Sequence, residues 1–335
     1  MAAYAQQPRR RVLRPSVVVD ATHAHTHTVI MLHGMAFDSS MFEELPAMLG
    51  ARASTVRWVF PNAPVRTIDW PRGPAPASRG RGELREIAKQ SRRPGTHGRP
   101  EPGVEAWYNY FSSNGGTLQH DAIDLEHLAA ATADVHAIMD VEIARLGGAA
   151  RRVALGGNSQ GGTVALHAAL THARGLDLAC LVLGCTLLLD ATPAPREPPE
   201  DPPPLFIFSA ERDMEYLPAF QRLAFGRLAA VGFDVESHVE PGLDHYSVSR
   251  AELLHTAAWL RRALFGDAVV PEYRDRPNAP PAKFANVMDA PLPAWWLQAL
   301  LHGHRQPHKL HDEEVALMPD AWRPVFFADG SGSVS

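Results

Sequence analysis

Residues 156–162 read Gly-Gly-Asn-Ser-Gln-Gly-Gly, and this stretch decides the fold class. It follows a predicted strand over Arg152–Gly156 and precedes a predicted helix that continues to about His172. A Gly-x-Ser-x-Gly turn between a strand and a helix is typical of a nucleophile elbow, whose strained backbone exposes the serine. Ser159 is therefore predicted to be a nucleophile at one edge of a sheet. The alternative is a turn of small residues that merely lets strand and helix pack.

Strand and helix patterns alternate along the chain between Thr28 and Phe265. The longest helix is predicted over Gln119–Leu146, where apolar residues recur every three or four positions, and Gly147-Gly148 would end it. The alternation predicts an α/β fold with a doubly wound, mostly parallel sheet and helices on both faces. The predicted strands are Val17–Asp20, Thr28–Leu32, Thr55–Phe60, Arg152–Gly156, Ala179–Leu183, Leu205–Ser209 and Phe233–Val239.

The strands and helices predict one domain over residues 15–266. A surface insertion over residues 70–105, rich in Arg, Gly and Pro, interrupts it and is predicted to be largely irregular, with the option of acting as a lid. Residues 267–335 form a Pro-rich C-terminal extension that we expect to pack on the domain or to be partly flexible. Within the extension, Trp295–Leu301 predicts one short apolar helix.

Charge and hydropathy exclude several classes of protein. A formal net charge of -5 and a pI near 6.4 argue against a nucleic-acid partner. No run of about 18 apolar residues exists, so no transmembrane helix is expected.

Cys180 and Cys185 lie in an apolar run and are interpreted as buried free thiols, which favours a cytoplasmic location. The arginines before Asp20 are interpreted as a solvated basic tail, with a transit peptide as the alternative.

A serine nucleophile needs a base, and the base needs a carboxylate that orients it. Asp213 follows the strand Leu205–Ser209, and His245 follows the strand Phe233–Val239. Parallel strands end at the same edge, so both side chains are expected near the serine, in the chain order serine, acid, histidine. Asp213 is the predicted acid, with Glu211 as its rival in the same loop, and His245 is the predicted base.

The negative charge of a tetrahedral intermediate is usually held by two backbone N–H groups. We expect one from Gln160, directly after the nucleophile, and one from Met35, in the loop after an early strand. Gly34 allows a close backbone approach in that loop. His33 is expected to brace the loop rather than to act on substrate.

Four motifs between Thr28 and Phe265 point to a known family. They are Val29-Ile30-Met31-Leu32-His33-Gly34, Phe60-Pro61-Asn62-Ala63-Pro64-Val65-Arg66, Trp107-Tyr108-Asn109 and Gly157-Asn158-Ser159-Gln160-Gly161-Gly162. Together they resemble the acyl-protein thioesterase, carboxylesterase and lysophospholipase group of α/β-hydrolases, the phospholipase/carboxylesterase family. The resemblance implies the α/β-hydrolase fold. It also implies a catalytic triad of Ser159, Asp213 and His245, with oxyanion donors at Met35 and Gln160.

The resemblance further implies a serine esterase or thioesterase of lipid metabolism. It would cleave small-molecule or acylated-protein substrates through an acyl-enzyme, without cofactor or metal. Phe37, Trp107 and Asn158 are expected to contact the substrate. Asn158 departs from the phenylalanine that the family has beside its nucleophile, and the insertion over Trp70–Glu105 is foreign to small members, so ester and thioester both stay open.

A second class of function also stays open. The chain could be a non-catalytic homologue that uses the same pocket to bind a ligand. The sequence leaves the oligomeric state undecided between monomer and dimer.

Overall fold

The computed structural model describes residues 16–69, 101–111, 122–193, 195, 200–213, 215–246, 250–267 and 285–286. Its strands are β1 (Val17–Val19), β2 (His27–Leu32), β3 (Val56–Phe60), β4 (Val65–Ile68), β5 (Glu101–Glu105), β6 (Val153–Asn158), β7 (Cys180–Gly184), β8 (Leu205–Ala210), β9 (Val235–Glu240) and β10 (Ala285–Asn286). Its α-helices are α1 (Leu45–Met48), α2 (Leu125–Arg145), α3 (Ser159–Thr171), α4 (Pro218–Ala230) and α5 (Arg250–Phe265).

Eight of these strands form one sheet in the order β1-β3-β2-β6-β7-β8-β9-β10. The six central strands are parallel, and the two edge strands, β1 and β10, run antiparallel to their neighbours. Within this sheet, β3 lies on one side of β2, and β6 to β9, which come later in the chain, lie on its other side. The chain thus adds strands in both directions from β2, which makes the sheet doubly wound. The predicted α/β fold class is therefore confirmed. The carboxyl ends of the parallel strands meet at one edge, where the loops after β2, β6, β7, β8 and β9 are neighbours.

Alternating residues of the central strands build two cores, because successive side chains of a strand point to opposite faces. In β2, Ile30 and Leu32 belong to the core under α2, α3 and α4, whereas Val29 and Met31 belong to the core under α1 and α5. Strands buried on both faces are apolar throughout, as parallel strands usually are. Helices therefore cover both faces, as predicted.

The long helix α2 shows how local signals set its ends. Asp124 accepts a hydrogen bond from the His127 N–H at 3.0 Å and caps the first turn. Gly147 and Gly148 follow the last turn with φ of 68° and 87°, a conformation that favours glycine. The predicted start at Gln119 was too early, because Ile123 pairs in a β-bridge just before the cap.

A small second sheet corrects the prediction for the insertion over residues 70–105. Strand β5 lies in the stretch predicted to be irregular and pairs antiparallel with β4, with Val65 opposite Glu105. The irregular interpretation is therefore wrong for Glu101–Glu105, where pairing with β4 overrode a weak local signal. The Glu105 carbonyl accepts a hydrogen bond from the Ala36 N–H at 2.8 Å, which attaches this sheet to the loop after β2.

The C-terminal extension contributes one short strand to the main sheet. In β10, Ala285 lies opposite Ser237 of β9 and covers that edge. No strand was predicted there. The short helix predicted at Trp295–Leu301 lies outside the described residues.

The described helices do not include one that is both long enough and apolar enough to span a bilayer. Cys180 and Cys185 are both buried free thiols, in agreement with the sequence interpretation. Burial raises the pKa of both thiols, so they stay protonated in the folded protein.

Candidate active site

The turn between β6 and α3 holds Ser159 in a left-handed conformation with φ of 51°. Such a conformation is uncommon for a residue with a side chain and persists only where the surroundings enforce it. A Cβ atom on Gly157 would lie 2.7 Å from the backbone of Gly161 and from the Leu32 carbonyl oxygen. The glycines let β2, β6 and α3 approach closely, and this approach exposes Ser159 at the carboxyl edge.

Three side chains from different loops meet at this edge. The Ser159 Oγ lies 2.9 Å from the His245 Nε2, and the His245 Nδ1 lies 2.9 Å from an Asp213 carboxylate oxygen. The imidazole therefore bridges the hydroxyl and the carboxylate through its two nitrogens. The sheet brings these side chains together, because Ser159, Asp213 and His245 follow the carboxyl ends of the parallel strands β6, β8 and β9.

Asp213 is fully buried and is held in place from both sides. One oxygen faces His245, and the other accepts hydrogen bonds from the N–H groups of Glu215 at 2.9 Å and Tyr216 at 2.8 Å. Burial raises the pKa of this carboxyl above its ordinary value, while the His245 imidazole and the Tyr216 N–H act in the opposite direction. The Tyr216 ring also packs edge-on against the imidazole, with 5.4 Å between centroids.

Glu211, the rival acid in the sequence, lies in a different place. Its carboxylate accepts a hydrogen bond from the Gly242 N–H at 2.7 Å and so supports the loop that carries His245. Asp244, the neighbour of His245, accepts from the Tyr246 N–H at 3.0 Å. Of the three acids, Asp213 is the one whose oxygen contacts the imidazole.

The loop after β2 lies directly beside the serine. A Cβ atom on Gly34 would lie 3.3 Å from the Ser159 Cβ, so only glycine permits this approach without displacement. Ala36 has a φ of 63°, which turns the chain sharply after Met35. Among the described residues, the Met35 N–H has no hydrogen-bond acceptor, as a donor kept for substrate would require.

His33 braces this loop, as the sequence suggested. Its ring is buried, and its Nε2 accepts a hydrogen bond from the Ala63 N–H at 2.9 Å. The Nδ1 must then carry the proton and donate to the Gly34 carbonyl at 2.8 Å. Next to Ala63, the Asn62 side chain accepts from the Ser39 N–H at 2.8 Å, so the Pro-x-Ala-Pro-x-Arg motif supports the loop at two points.

Trp107 and Gln160 lock the loop to the nucleophile turn. The Trp107 indole N–H donates to the His33 carbonyl at 2.8 Å, and its backbone N–H donates to the Gln160 side chain at 2.8 Å. Gln160 in turn donates to the Tyr108 carbonyl at 2.9 Å. The Trp107 side chain is only 1% exposed, so in the structure it holds the loop, and its expected substrate contact stays a prediction. Arg66 secures the same segment by donating to the Ala106 carbonyl at 2.8 Å.

The other two expected substrate contacts lie at different depths. Phe37 is half-buried on the loop beside Met35 and keeps surface that a substrate could meet. Asn158 is buried, and its side chain donates to the Glu252 carboxylate at 2.8 Å. Sequence reasoning missed Glu252, because a glutamate in the first turn of a helix carries no signal that distinguishes it from a solvated one.

One group among the described residues brings three potential metal-ligating side chains together. His238, Glu240 and His255 place their ligand atoms within 4.8 Å of one another. The two imidazole rings stack almost parallel, with 3.7 Å between centroids, and the Nε2 of each faces the same Glu240 oxygen, at 2.9 Å and 3.8 Å. An ion bound by both nitrogens has to lie near both ring planes, which stacked rings do not allow. This cluster therefore ties β9 to α5 behind the His245 loop.

The sheet topology, the strained serine turn and the loop arrangement together define the α/β-hydrolase fold. Comparisons with known proteins agree. The family model described as Phospholipase/Carboxylesterase matches residues 99–250, which confirms the resemblance to that family that the sequence motifs indicated.

Individual relatives extend the comparison. Acyl-protein thioesterase 1 of Schizosaccharomyces pombe is 29% identical over 161 residues, which cover 48% of this chain and 57% of that protein, so the match spans just over half of its length. The structure is similar to SOBER1 of Arabidopsis thaliana, with a TM-score of 0.53 and 21% identity over 71% of this chain and 99% of SOBER1. It is also similar to acyl-protein thioesterase 2 of Zea mays, with a TM-score of 0.53 and 20% identity over 75% of this chain and 99% of that one. At these identities the structures show a shared fold.

Replacing Trp107 by phenylalanine tests the brace on the loop after β2. The change removes the indole N–H that donates to the buried His33 carbonyl, and we expect the free energy of unfolding to fall by about 1–3 kcal/mol beyond the loss of ring area. Trp58→Phe is the matched control, because the Trp58 indole N–H is buried with no acceptor among the described residues. Urea unfolding measures both variants, and equal losses would contradict the proposed brace.

Proposed function

We propose that the chain is a serine hydrolase that cleaves carboxylic esters or acyl thioesters through an acyl-enzyme intermediate. The observation that carries the proposal is the continuous hydrogen-bonded path from Asp213 through His245 to Ser159, with 2.9 Å at each step. Polar side chains in a chance contact rarely combine a strained serine, a bridging imidazole and a buried carboxylate.

In the first half-reaction, the His245 Nε2 removes the Ser159 hydroxyl proton as the Oγ attacks the acyl carbon. The carbonyl electron pair moves to oxygen, and the N–H groups of Met35 and Gln160 hold the oxyanion. When the intermediate collapses, the bond to the leaving group breaks, and His245 delivers its proton to the departing alcohol or thiolate. The product of this step is an ester between the acyl group and Ser159.

In the second half-reaction, water takes the place of the leaving group. His245 removes a proton from water, and the hydroxide oxygen attacks the acyl carbon of the Ser159 ester. The same two N–H groups hold the oxyanion, and the collapse returns the proton to the Ser159 oxygen. The carboxylic acid then leaves, and no cofactor or metal is required.

Asp213 orients the imidazole and stabilises its positive charge in both steps. Its burial strengthens this effect, since a charge acts more strongly in a low-dielectric surrounding. The two N–H bonds from Glu215 and Tyr216 hold the carboxylate so that one oxygen always faces His245. The site thus has its electrostatic groups in place before substrate arrives.

The substrate class rests on the comparisons. The matched family model is described by phospholipase and carboxylesterase activities, and two of the relatives are named acyl-protein thioesterases. We therefore propose acylated small molecules or acylated proteins as substrates and a role in lipid metabolism. The two free thiols support the cytoplasm as the proposed location.

Replacing Ser159 by alanine is expected to abolish both ester hydrolysis and labelling by a fluorophosphonate probe. The reason is that the probe and the substrate are attacked by the same Oγ atom. Hydrolysis of p-nitrophenyl esters and in-gel fluorescence measure the two effects, and circular dichroism verifies the fold. Activity that survives the substitution would overturn the proposal. A folded wild-type protein that neither labels nor turns over would favour the non-catalytic homologue.

Asp213→Asn and Glu211→Gln form a matched pair that separates the two acids. Asp213→Asn removes the charge that holds the imidazole tautomer, and we expect kcat to fall by about 10⁴-fold. Glu211→Gln keeps an acceptor for the Gly242 N–H, so we expect kcat within about threefold of wild type, as for a surface change. Steady-state kinetics on one ester measures both, and the reverse ranking would assign the acid to Glu211.

Turnover of esters and thioesters that carry the same acyl chains tests whether the site cleaves both classes of substrate. The triad and the two oxyanion donors act on the acyl carbon and its oxygen, which both substrate classes share, so we expect both to be cleaved. A series of p-nitrophenyl esters and acyl-cysteine peptides of increasing chain length provides the measurement. Hydrolysis of esters alone would restrict the proposal to carboxylesterase activity.

A further inference from the structure

Glu252 lies beside the nucleophile although it belongs to another part of the chain. It is in the first turn of α5, where the free N–H groups of the helix favour a negative charge. Its Oε1 accepts the hydrogen bond from the Asn158 side chain at 2.8 Å, and Asn158 is the residue directly before Ser159. A carboxylate is therefore one side chain away from the strained turn.

The end of β7 lies directly against this carboxyl. A Cβ atom on Gly184, at the end of β7, would overlap the Glu252 Oε1 and lie 2.9 Å from its Cδ. The same atom would lie 3.1 Å from the Asn158 Nδ2. Glycine at position 184 thus makes space for the contact between Glu252 and Asn158, which is partly buried.

The charged groups around Glu252 come from three further loops. His245 attracts the ionised carboxylate, and Asp213 repels it. The thiol of Cys185 follows Gly184 and is kept neutral by burial, and the charges of Glu252, Asp213 and Asp244 add to this effect. Among the described residues, His245 is the one group whose positive charge, when it is protonated, favours ionised Glu252.

These contacts determine when Glu252 carries charge. Burial raises the pKa of Glu252 to about 7, while the Asn158 hydrogen bond and His245 act to lower it. The carboxyl is consequently ionised above neutral pH and protonated below it. Its charge therefore changes in the same pH range in which an ordinary histidine titrates.

We propose that Glu252 is a second acidic positioning residue of this site, which holds Asn158 beside Ser159 and stabilises the protonated form of His245 by its negative charge. The inference rests on the proposed function, because protonated His245 arises when Ser159 attacks the substrate and again when water attacks the acyl-enzyme. Asp213 contacts the imidazole directly, whereas Glu252 acts on it through space. The two acids together would make the imidazole a stronger base.

Glu252→Gln tests the charge without removing the hydrogen bond, since the glutamine oxygen can still accept from Asn158. Without the negative charge, the pKa of His245 falls, so the acid limb of the kcat/KM profile moves to lower pH. The plateau above neutral pH falls as well, by roughly three- to tenfold, because a shift of up to one pKa unit corresponds to a factor of ten. A purely structural role would lower the plateau and leave the limb in place.

Glu44→Gln is the control, because it removes a negative charge from an exposed carboxylate that lies 3.6 Å from Arg250 at the start of α5. Its pH profile is expected to superimpose on that of the wild type. The wild-type protein supplies a second measurement that does not depend on any variant. Because both His245 and Glu252 must lose a proton, the acid limb of the kcat/KM profile is expected to have a slope greater than that of a single ionisation.

The titration of His245 can also be followed without turnover. In a Ser159→Ala background, the imidazole resonances in an NMR titration report its pKa directly, and adding Glu252→Gln is expected to lower that pKa. Suppose that the protein has Ser159-dependent activity, but Glu252→Gln changes neither the pKa of His245 nor the pH profile. That result would overturn the proposed role of Glu252 and leave the proposed function intact. A wild-type protein without any Ser159-dependent turnover would instead overturn the proposed function and leave the titration result standing.

Discussion

The close approach of three backbone segments at the end of β6 is the constraint on which the rest of the site depends. Gly157 and Gly161 let α3 begin directly against the carbonyl groups of Leu32 and His33, and a Cβ atom at either glycine would overlap backbone. This packing forces Ser159 to a φ of 51° and leaves its Oγ at the edge of the sheet. The strain is tolerated because the surrounding strands are buried on both faces.

The loop after β2 and the loop after β9 reach the serine from opposite sides, and each has its own support. His33, Trp107 and the Asn62-Ala63 motif hold the first loop through buried hydrogen bonds. The second loop is anchored by Glu211 at Gly242, and the His238–Glu240–His255 cluster ties β9 to α5 behind it. These supports are hydrogen-bonded polar groups, which favours one arrangement of the loops over others.

Much of this architecture could be predicted from local signals. The Gly-x-Ser-x-Gly turn, the alternation of strands and helices and the order of Ser159, Asp213 and His245 indicated both the fold class and the edge where these residues meet. Strand β5 and the two-residue strand β10 could not be predicted, since each depends on a partner strand distant in sequence. The same holds for Glu252, whose contact with Asn158 joins residues 94 apart.

The sequence by itself determined the backbone geometry of the nucleophile turn, because glycine is the residue that tolerates such close approach and its positions are written in the chain. It also determined which loops end at the same edge, since parallel strands share a direction. Only the tertiary structure decided between Asp213 and Glu211 as the partner of His245, and only it brought Glu252 to the serine. Those choices depend on distances of a few ångströms between loops, which local propensity does not encode.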